Sequence, residues 1–169
     1  MTPFTKAALL TAVLGLSACS NATGWNGGSN DVNLNGAAGA AGTASDPTSP
    51  AHFQQVVGDR VLFAVDQSTL SPEAQATLQA QANWLLANTD YSATIEGHAD
   101  EQGTREYNIA LGARRATAVR EYLVQMGIPG SRLRTVSYGK ERPVEVCSEE
   151  ACYAQNRRAV TVLATGLTG

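Results

Sequence analysis

The apolar residues of this chain change their spacing several times, and each change predicts an element. RVLFAV (60–65) is a short apolar, partly branched run that predicts a buried strand. SPEAQATLQAQANWLLAN (71–88) shifts to helical spacing, with Ala74, Leu78 and Leu85 on the inward face. Ser71 suits the N-cap, Pro72 the first helical position and Glu73 the acidic first turn of that helix. YSATIEG (91–97) returns to strict alternation, Tyr91, Ala93 and Ile95 against Ser92, Thr94 and Glu96, which predicts a half-buried strand. After the loop GHADEQG (97–103), a second helix is expected from about Thr104 to Met126, with Ile109, Ala116, Val119 and Leu123 facing in. Gly127 suits the left-handed position past a helix end, and Pro129 prevents the helix from resuming. RTVSYG (134–139) reads as a third strand, EEACYAQN (149–156) as a short helix, and RRAVTVLA (157–164) as a fourth strand. In that last strand Val160 and Val162 share one face. Strands alternating with helices predict an α/β fold, a mixed four-stranded sheet with helices packed on one face.

The first fifty residues follow different rules. Lys6 precedes the apolar run AALLTAVLGL (7–16), a basic start and short apolar core that predict a signal peptide over residues 1–18. The run is too short to cross a bilayer, which takes roughly 20 apolar residues. Leu16, Ser17 and Ala18 then lead into Cys19, and LSAC resembles a bacterial lipoprotein box. That resemblance implies lipidation of the Cys19 thiol, removal of the leader and acylation of the new amino terminus. Several acyl chains hold a membrane far more firmly than one. Ser20, where aspartate would signal inner-membrane retention, implies by the same resemblance an outer-membrane anchor facing the periplasm. From Ser20 to Pro50 Gly, Ala, Ser and Asn dominate, a composition with too little apolar surface to offset folding entropy. Residues 19–50 are therefore expected to be a lipidated cysteine with a flexible linker, and residues 51–169 the working domain. Such a coil spans roughly 30 Å on average and about 100 Å when stretched. Trp25 either touches the lipid interface or a partner, or is an idle exposed aromatic.

Charge and cysteine usage narrow the classes. A net charge of −3 gives no basic face, so nucleic acid is not an expected partner. With Cys19 lipidated, Cys147 and Cys152 in CSEEAC remain as a pair, and an exported chain meets an oxidising compartment. They are expected to form a disulfide. Because the Cα atoms must lie within about 7 Å, the bridge requires a turn or bent helix there.

The richest stretch is EGHADEQGTREYNIALGARRA (96–116). Asn108 and Arg115 stand about two helical turns apart, so they share a face, with Leu111 between them. Gly97 and Gly103 allow close backbone approach or a sharp turn. If the loop folds back on the helix start, Asp100 joins that face. Together they form a complement for a zwitterion, Asp100 taking an ammonium and Arg115 a carboxylate through a bidentate pair. Thr104 and the free N–H groups of the helix start add capacity for an anion.

Catalysis is the competing reading. Glycoside hydrolysis needs a carboxyl group with a raised pKa, whereas Glu96 belongs to the exposed alternation and Asp100, Glu101 and Glu106 sit among arginines, which pull pKa values down. The chain has only His52 and His98, too few for a metal hydrolase. There is no GxSxG elbow and neither remaining cysteine has a histidine partner. No catalytic residue, metal or cofactor is expected. His98 is expected to tie its loop to backbone groups through its ring. Arg114 is either a solvated neighbour of Arg115 or part of the site. Asn156, Arg157 and Arg158 either brace the pocket or cap the sheet.

EGHADEQGTREYNIALGARRA closely resembles the signature of the peptidoglycan-associated lipoprotein family, within the outer-membrane-protein-A-like C-terminal domains. VLFAVDQSTLS, VSYGKERP and AQNRRAV extend the resemblance across almost the whole domain in the same order. It implies non-covalent binding of peptidoglycan through the meso-diaminopimelate of its stem peptide, with Asp100 and Arg115 gripping that residue. Asn108 and Asp66 match further family positions at the ligand. It also implies work within the Tol system during cell division, with a periplasmic β-propeller protein as partner. Ala64 and Val65 depart from the glycine and aromatic common in relatives, which alters the pocket wall. The alternatives are a peptidoglycan-cleaving enzyme of the same fold and a structural module that binds only a protein.

Overall fold

The computed structural model describes residues 42–165. The signal peptide, Cys19, Trp25 and most of the linker lie outside the described residues. Helix α1 (Pro50–His52) passes directly into a π-helical turn, Phe53–Gly58. Strand β1 (Arg60–Leu62) and helix α2 (Pro72–Ala87) follow. Then come β2 (Tyr91–His98), α3 (Arg105–Gln125), a 3-10 turn at Gly130–Arg132, and β3 (Leu133–Gly139). Helix α4 (Glu150–Asn156) and β4 (Arg158–Thr165) complete the order.

The helices begin where their residues favour it. Ser71 Oγ accepts the Ala74 N–H at 3.2 Å, with Pro72 and Glu73 in the first turn of α2. Thr104 does the same for α3, its Oγ1 accepting the Tyr107 N–H at 3.2 Å. Gly127, at φ 98°, follows the end of α3 in the left-handed region that a side chain disfavours.

The sheet has the order β1-β4-β2-β3. β2 and β3 are parallel, joined over the sheet by α3, and β4 is antiparallel to both its neighbours, β1 and β2. The last strand therefore inserts into the middle of the sheet. Phe53, Leu78, Leu85, Ile95, Val119, Leu123 and Ile128 fill the core between sheet and helices. Ala93 and Ile95 of β2 point into it, as the alternation requires. On β4 the inward residues are Ala159 and Thr161, while Val160 and Val162 face out. The polar Thr161 is accommodated because its hydroxyl bonds the buried Gln81 amide oxygen at 2.8 Å, and Gln81 Nε2 donates to the Gly58 carbonyl at 2.7 Å.

Two features differ from the sequence expectation. The apolar run 60–65 forms strand only to Leu62, since Leu62 pairs with Arg158, the first residue of β4, and no partner strand continues beyond it. Phe63 N–H still reaches the Arg157 carbonyl at 2.8 Å, and a turn over Ala64–Gln67 then leaves the sheet. Ordered structure also reaches back before Ala51. The Trp84 indole N–H donates to the Pro47 carbonyl at 2.7 Å, and the buried Ser49 caps α1 by accepting the His52 N–H at 3.0 Å.

Helix α3 lies unusually close to β2. A Cβ on Gly97 would stand 1.8 Å from the Gly112 carbonyl oxygen, so only a glycine pair permits this crossing. Cys147 and Cys152 are bridged across 6.0 Å between Cα atoms, joining the turn before α4 to its first turn.

Candidate functional site

Residues 100–103, between β2 and α3, form one wall of a cavity, and side chains behind them fix their course. Asn108 Nδ2 donates to the Gln102 carbonyl at 2.8 Å and to that of Asp100 at 3.3 Å. Lys140 Nζ donates to the carbonyls of Gly103 at 2.7 Å and Glu101 at 3.2 Å. Gly103, at φ 88°, makes the turn that brings the chain back to the helix start.

Asp100 is held at both oxygens. Oδ1 accepts the Gln102 N–H at 3.2 Å and Oδ2 accepts from Arg157 Nη1 at 3.2 Å. Arg157 also donates to the Phe63 carbonyl and to the Glu150 carboxylate, so it joins α4, the segment just after β1 and the Asp100 loop. Burial lowers the pKa of this guanidinium, but hydrogen bonds to Glu150 and Asp100 outweigh it and the net shift is upward. Asn156, wholly buried, donates to Glu101 Oε1 at 2.9 Å and accepts the Val144 N–H at 2.8 Å. Of the two roles open to 156–158, Asn156 and Arg157 brace the site. Arg158 instead donates to the Arg142 and Asn156 carbonyls.

The facing wall is the Ala64–Gln67 turn. Asp66 sits in the left-handed region at φ 56°, uncommon for a residue with a side chain although aspartate tolerates it better than most. The Tyr107 hydroxyl donates to its carboxylate. Between the walls lies an open cavity of about 250 Å³. Asp66 and Asp100 supply its acidic groups, Asn108 an amide, and Val65, Leu111 and Tyr107 an apolar surface, with Gln102 and Gly103 at the loop side.

Arg115 is brought to this region but placed differently from the expected bidentate grip. It is fully buried behind the cavity, and its three nitrogens all donate to backbone carbonyls. Nε bonds Gln67 at 2.8 Å, Nη1 bonds His98 at 2.8 Å and Nη2 bonds Ala64 at 3.1 Å. It thus ties the Asp66 turn to the end of β2, with its guanidinium carbon 5.2 Å from the Phe63 ring centroid. Burial pushes its pKa down to about 10, against the opposing pull of Asp100 and Asp66. The group remains charged at neutral pH.

Thr104 is exposed and spends its hydroxyl on the helix cap, outside the cavity wall. His98 holds the site through its carbonyl, not its ring. Both ring nitrogens are buried without a hydrogen-bond partner among the described residues, the Glu96 carboxylate standing 3.8 Å from Nε2, and the ring packs 5.6 Å from that of Tyr138. Burial, with Arg158 and Arg142 nearby, pushes the imidazole pKa down to about 4. Sequence reasoning missed Tyr107 and Lys140. Tyr107 was findable, lying one turn before Leu111 on the same face. Lys140 carried no signal, since its role depends on a long-range fold. Among the described residues no cluster of three or more His, Cys, Asp or Glu side chains could hold a metal ion.

Comparison with known proteins places this arrangement. Residues 62–157 match the model of the OmpA family. A peptidoglycan-associated lipoprotein of Rhizobium meliloti is 58% identical over 125 residues, covering 74% of this chain and 71% of that protein. One from Agrobacterium fabrum is 49% identical over 154 residues, covering 91% of this chain and 84% of its own. The crystal structure of the peptidoglycan-associated lipoprotein from Burkholderia pseudomallei superposes with a TM-score of 0.63 at 40% identity, covering 70% of this chain and 97% of that one. The C-terminal domain of Helicobacter pylori MotB, at 19% identity and a TM-score of 0.60 over 64% of this chain and 86% of its own, shares the fold. The chain belongs to the OmpA family, and within it to the peptidoglycan-associated lipoproteins.

Proposed function

We propose that this domain binds peptidoglycan non-covalently, gripping the diaminopimelate of a stem peptide in the cavity beside α3. The observation that carries the reading is the convergence of Asp66 and Asp100 on one small cavity with an amide and an apolar wall. Two carboxylates suit the side-chain ammonium of diaminopimelate, and Leu111 and Val65 suit its methylenes. We assign the ligand's carboxylate to the side of the cavity backed by the buried charge of Arg115, without direct contact to its guanidinium. The names of the relatives support the same ligand class.

Lipidation at Cys19 would anchor the chain in the outer membrane on its periplasmic side, and the linker would let the domain reach the wall. The chain would then staple one layer to the other without catalysis. A periplasmic β-propeller of the Tol system is the proposed protein partner, active during division. The test is co-sedimentation of the chain with purified cell walls, followed by assay of the supernatant. Saturable binding with no released fragments is expected. Soluble fragments would make the domain an enzyme and refute the reading.

A further inference from the structure

Beyond the cavity, α3 continues to present one stripe of residues: Tyr107, Leu111, Arg114, Ala118 and Glu121, spaced by alternating fours and threes. The first two line the cavity. The last three line a shallow groove of about 380 Å³ between α3 and Ser68, floored by the small side chains of Ala113, Thr117 and Ala118. A second depression of about 220 Å³ continues it past Ser68, Ala118 and Glu121. Arg114 stands at the junction. Its guanidinium carbon lies 5.9 Å from the Tyr107 ring centroid, and the same tyrosine donates to Asp66 inside the cavity. Arg114 is exposed and makes no ion pair or hydrogen bond among the described residues. It contrasts with its neighbour Arg115, whose nitrogens are all engaged.

We propose that Arg114 and this groove form a second subsite, which takes a carboxylate one or two residues along the peptide whose zwitterionic residue fills the cavity. The inference rests on the reading of the cavity given above and names more of its ligand. From Leu111 to Arg114 the helix rises about 4.5 Å, and an extended peptide advances roughly 3.5 Å per residue. An acidic group next to the gripped residue, or one further on, therefore meets the guanidinium as the peptide leaves past Tyr107. Backing from the tyrosine face keeps the guanidinium near that path. The ligand is then an acidic peptide laid along α3, not a free amino acid, and Arg114 selects for it.

The experiment is calorimetric titration of the full chain with three probes. These are free meso-diaminopimelate, a γ-glutamyl-diaminopimelate dipeptide with its α-carboxylate free, and the same dipeptide with that carboxylate amidated. Wild type is expected to bind the acid about tenfold more tightly than the amide, the size of one charge-assisted hydrogen bond. Arg114→Gln is expected to bind acid and amide alike, with unchanged affinity for free diaminopimelate. Equal binding of acid and amide by wild type would overturn the subsite, as would discrimination that survives Arg114→Gln. An equal loss for all three probes in Arg114→Gln would also overturn it, by making Arg114 part of the cavity itself. If wild type bound none of the three, the cavity reading would fail and take the subsite with it.

Discussion

Replacing Arg115 by methionine tests what this side chain contributes to the fold, apart from any ligand. The substitution keeps an apolar stem against Phe63 but removes all three donors to the carbonyls of Gln67, His98 and Ala64. Hydrogen bonds with one charged partner contribute about 1.5–3 kcal/mol each, so their joint loss is about 4.5–9 kcal/mol. Part of that is returned, because the buried guanidinium is held at a cost. Its pKa falls to about 10, well below that of a free guanidinium, which corresponds to about 3 kcal/mol. The net expectation is a destabilisation of about 2–6 kcal/mol, a large part of the roughly 5–15 kcal/mol typical of a domain. Equilibrium urea unfolding at pH 7 measures it. Arg115→Lys should fall between, since an ammonium cannot reproduce the planar fork that reaches three carbonyls at once. A change within about 0.5 kcal/mol for Arg115→Met would refute the claim that this residue anchors the Asp66 turn. Binding by Arg115 variants must then be measured well below their unfolding midpoints, so that ligand effects are read on folded protein.

Acid should weaken the domain through His98. Its folded pKa, about 4, lies below the unfolded value of 6.5, so the unfolded chain takes up the proton first. The associated stability is intact above pH 6.5 and lost as pH falls toward 4, by up to about 3 kcal/mol. His98→Phe should remove that component, which urea melts of both proteins across the window would detect as a changing difference. Reducing the Cys147–Cys152 bond should cost about 2 kcal/mol for so short a loop. It should also weaken wall binding, because α4 carries the Glu150 that steadies Arg157 against Asp100; unchanged binding after reduction would break that link. Gly112→Ala should destabilise by about 3 kcal/mol or more, since a Cβ there stands 2.4 Å from Ser137 Oγ and 2.8 Å from the Gly97 carbonyl oxygen. A thermal melt near the wild-type midpoint would contradict it.

The local parts of this fold were legible because local rules govern them. Ser71 and Pro72, Thr104, Gly127 and the alternation in β2 each announce an element through its own residues. The shared face of Asn108, Leu111 and Arg115 was legible for the same reason, and all three are buried on that face. What could not be read depends on partners far along the chain. The end of β1 is set by where β4 begins, and the stop of the linker by an indole reaching Pro47. The partners of Arg115 are carbonyls of the 64–67 turn and of His98, groups that every residue type carries and that no composition distinguishes. Arg157 was visible as a charge before a strand, but its pairing with Asp100 joins residues 57 apart in the chain. His98 was read through its ring, the chemically distinctive part, whereas its backbone does the holding.

The central claim is that Asp66 and Asp100 hold an ammonium group of a wall peptide. The most direct measurement compares two stem peptides, one with the free side-chain amine of its diaminopimelate and one with that amine acetylated, in titrations of the same chain. Acetylation removes the charge and leaves the rest of the peptide in place. The account predicts a loss of at least tenfold in affinity, about 1.4 kcal/mol, and a similar loss for the free amine with Asp100→Asn. Equal affinity for the two peptides would contradict it.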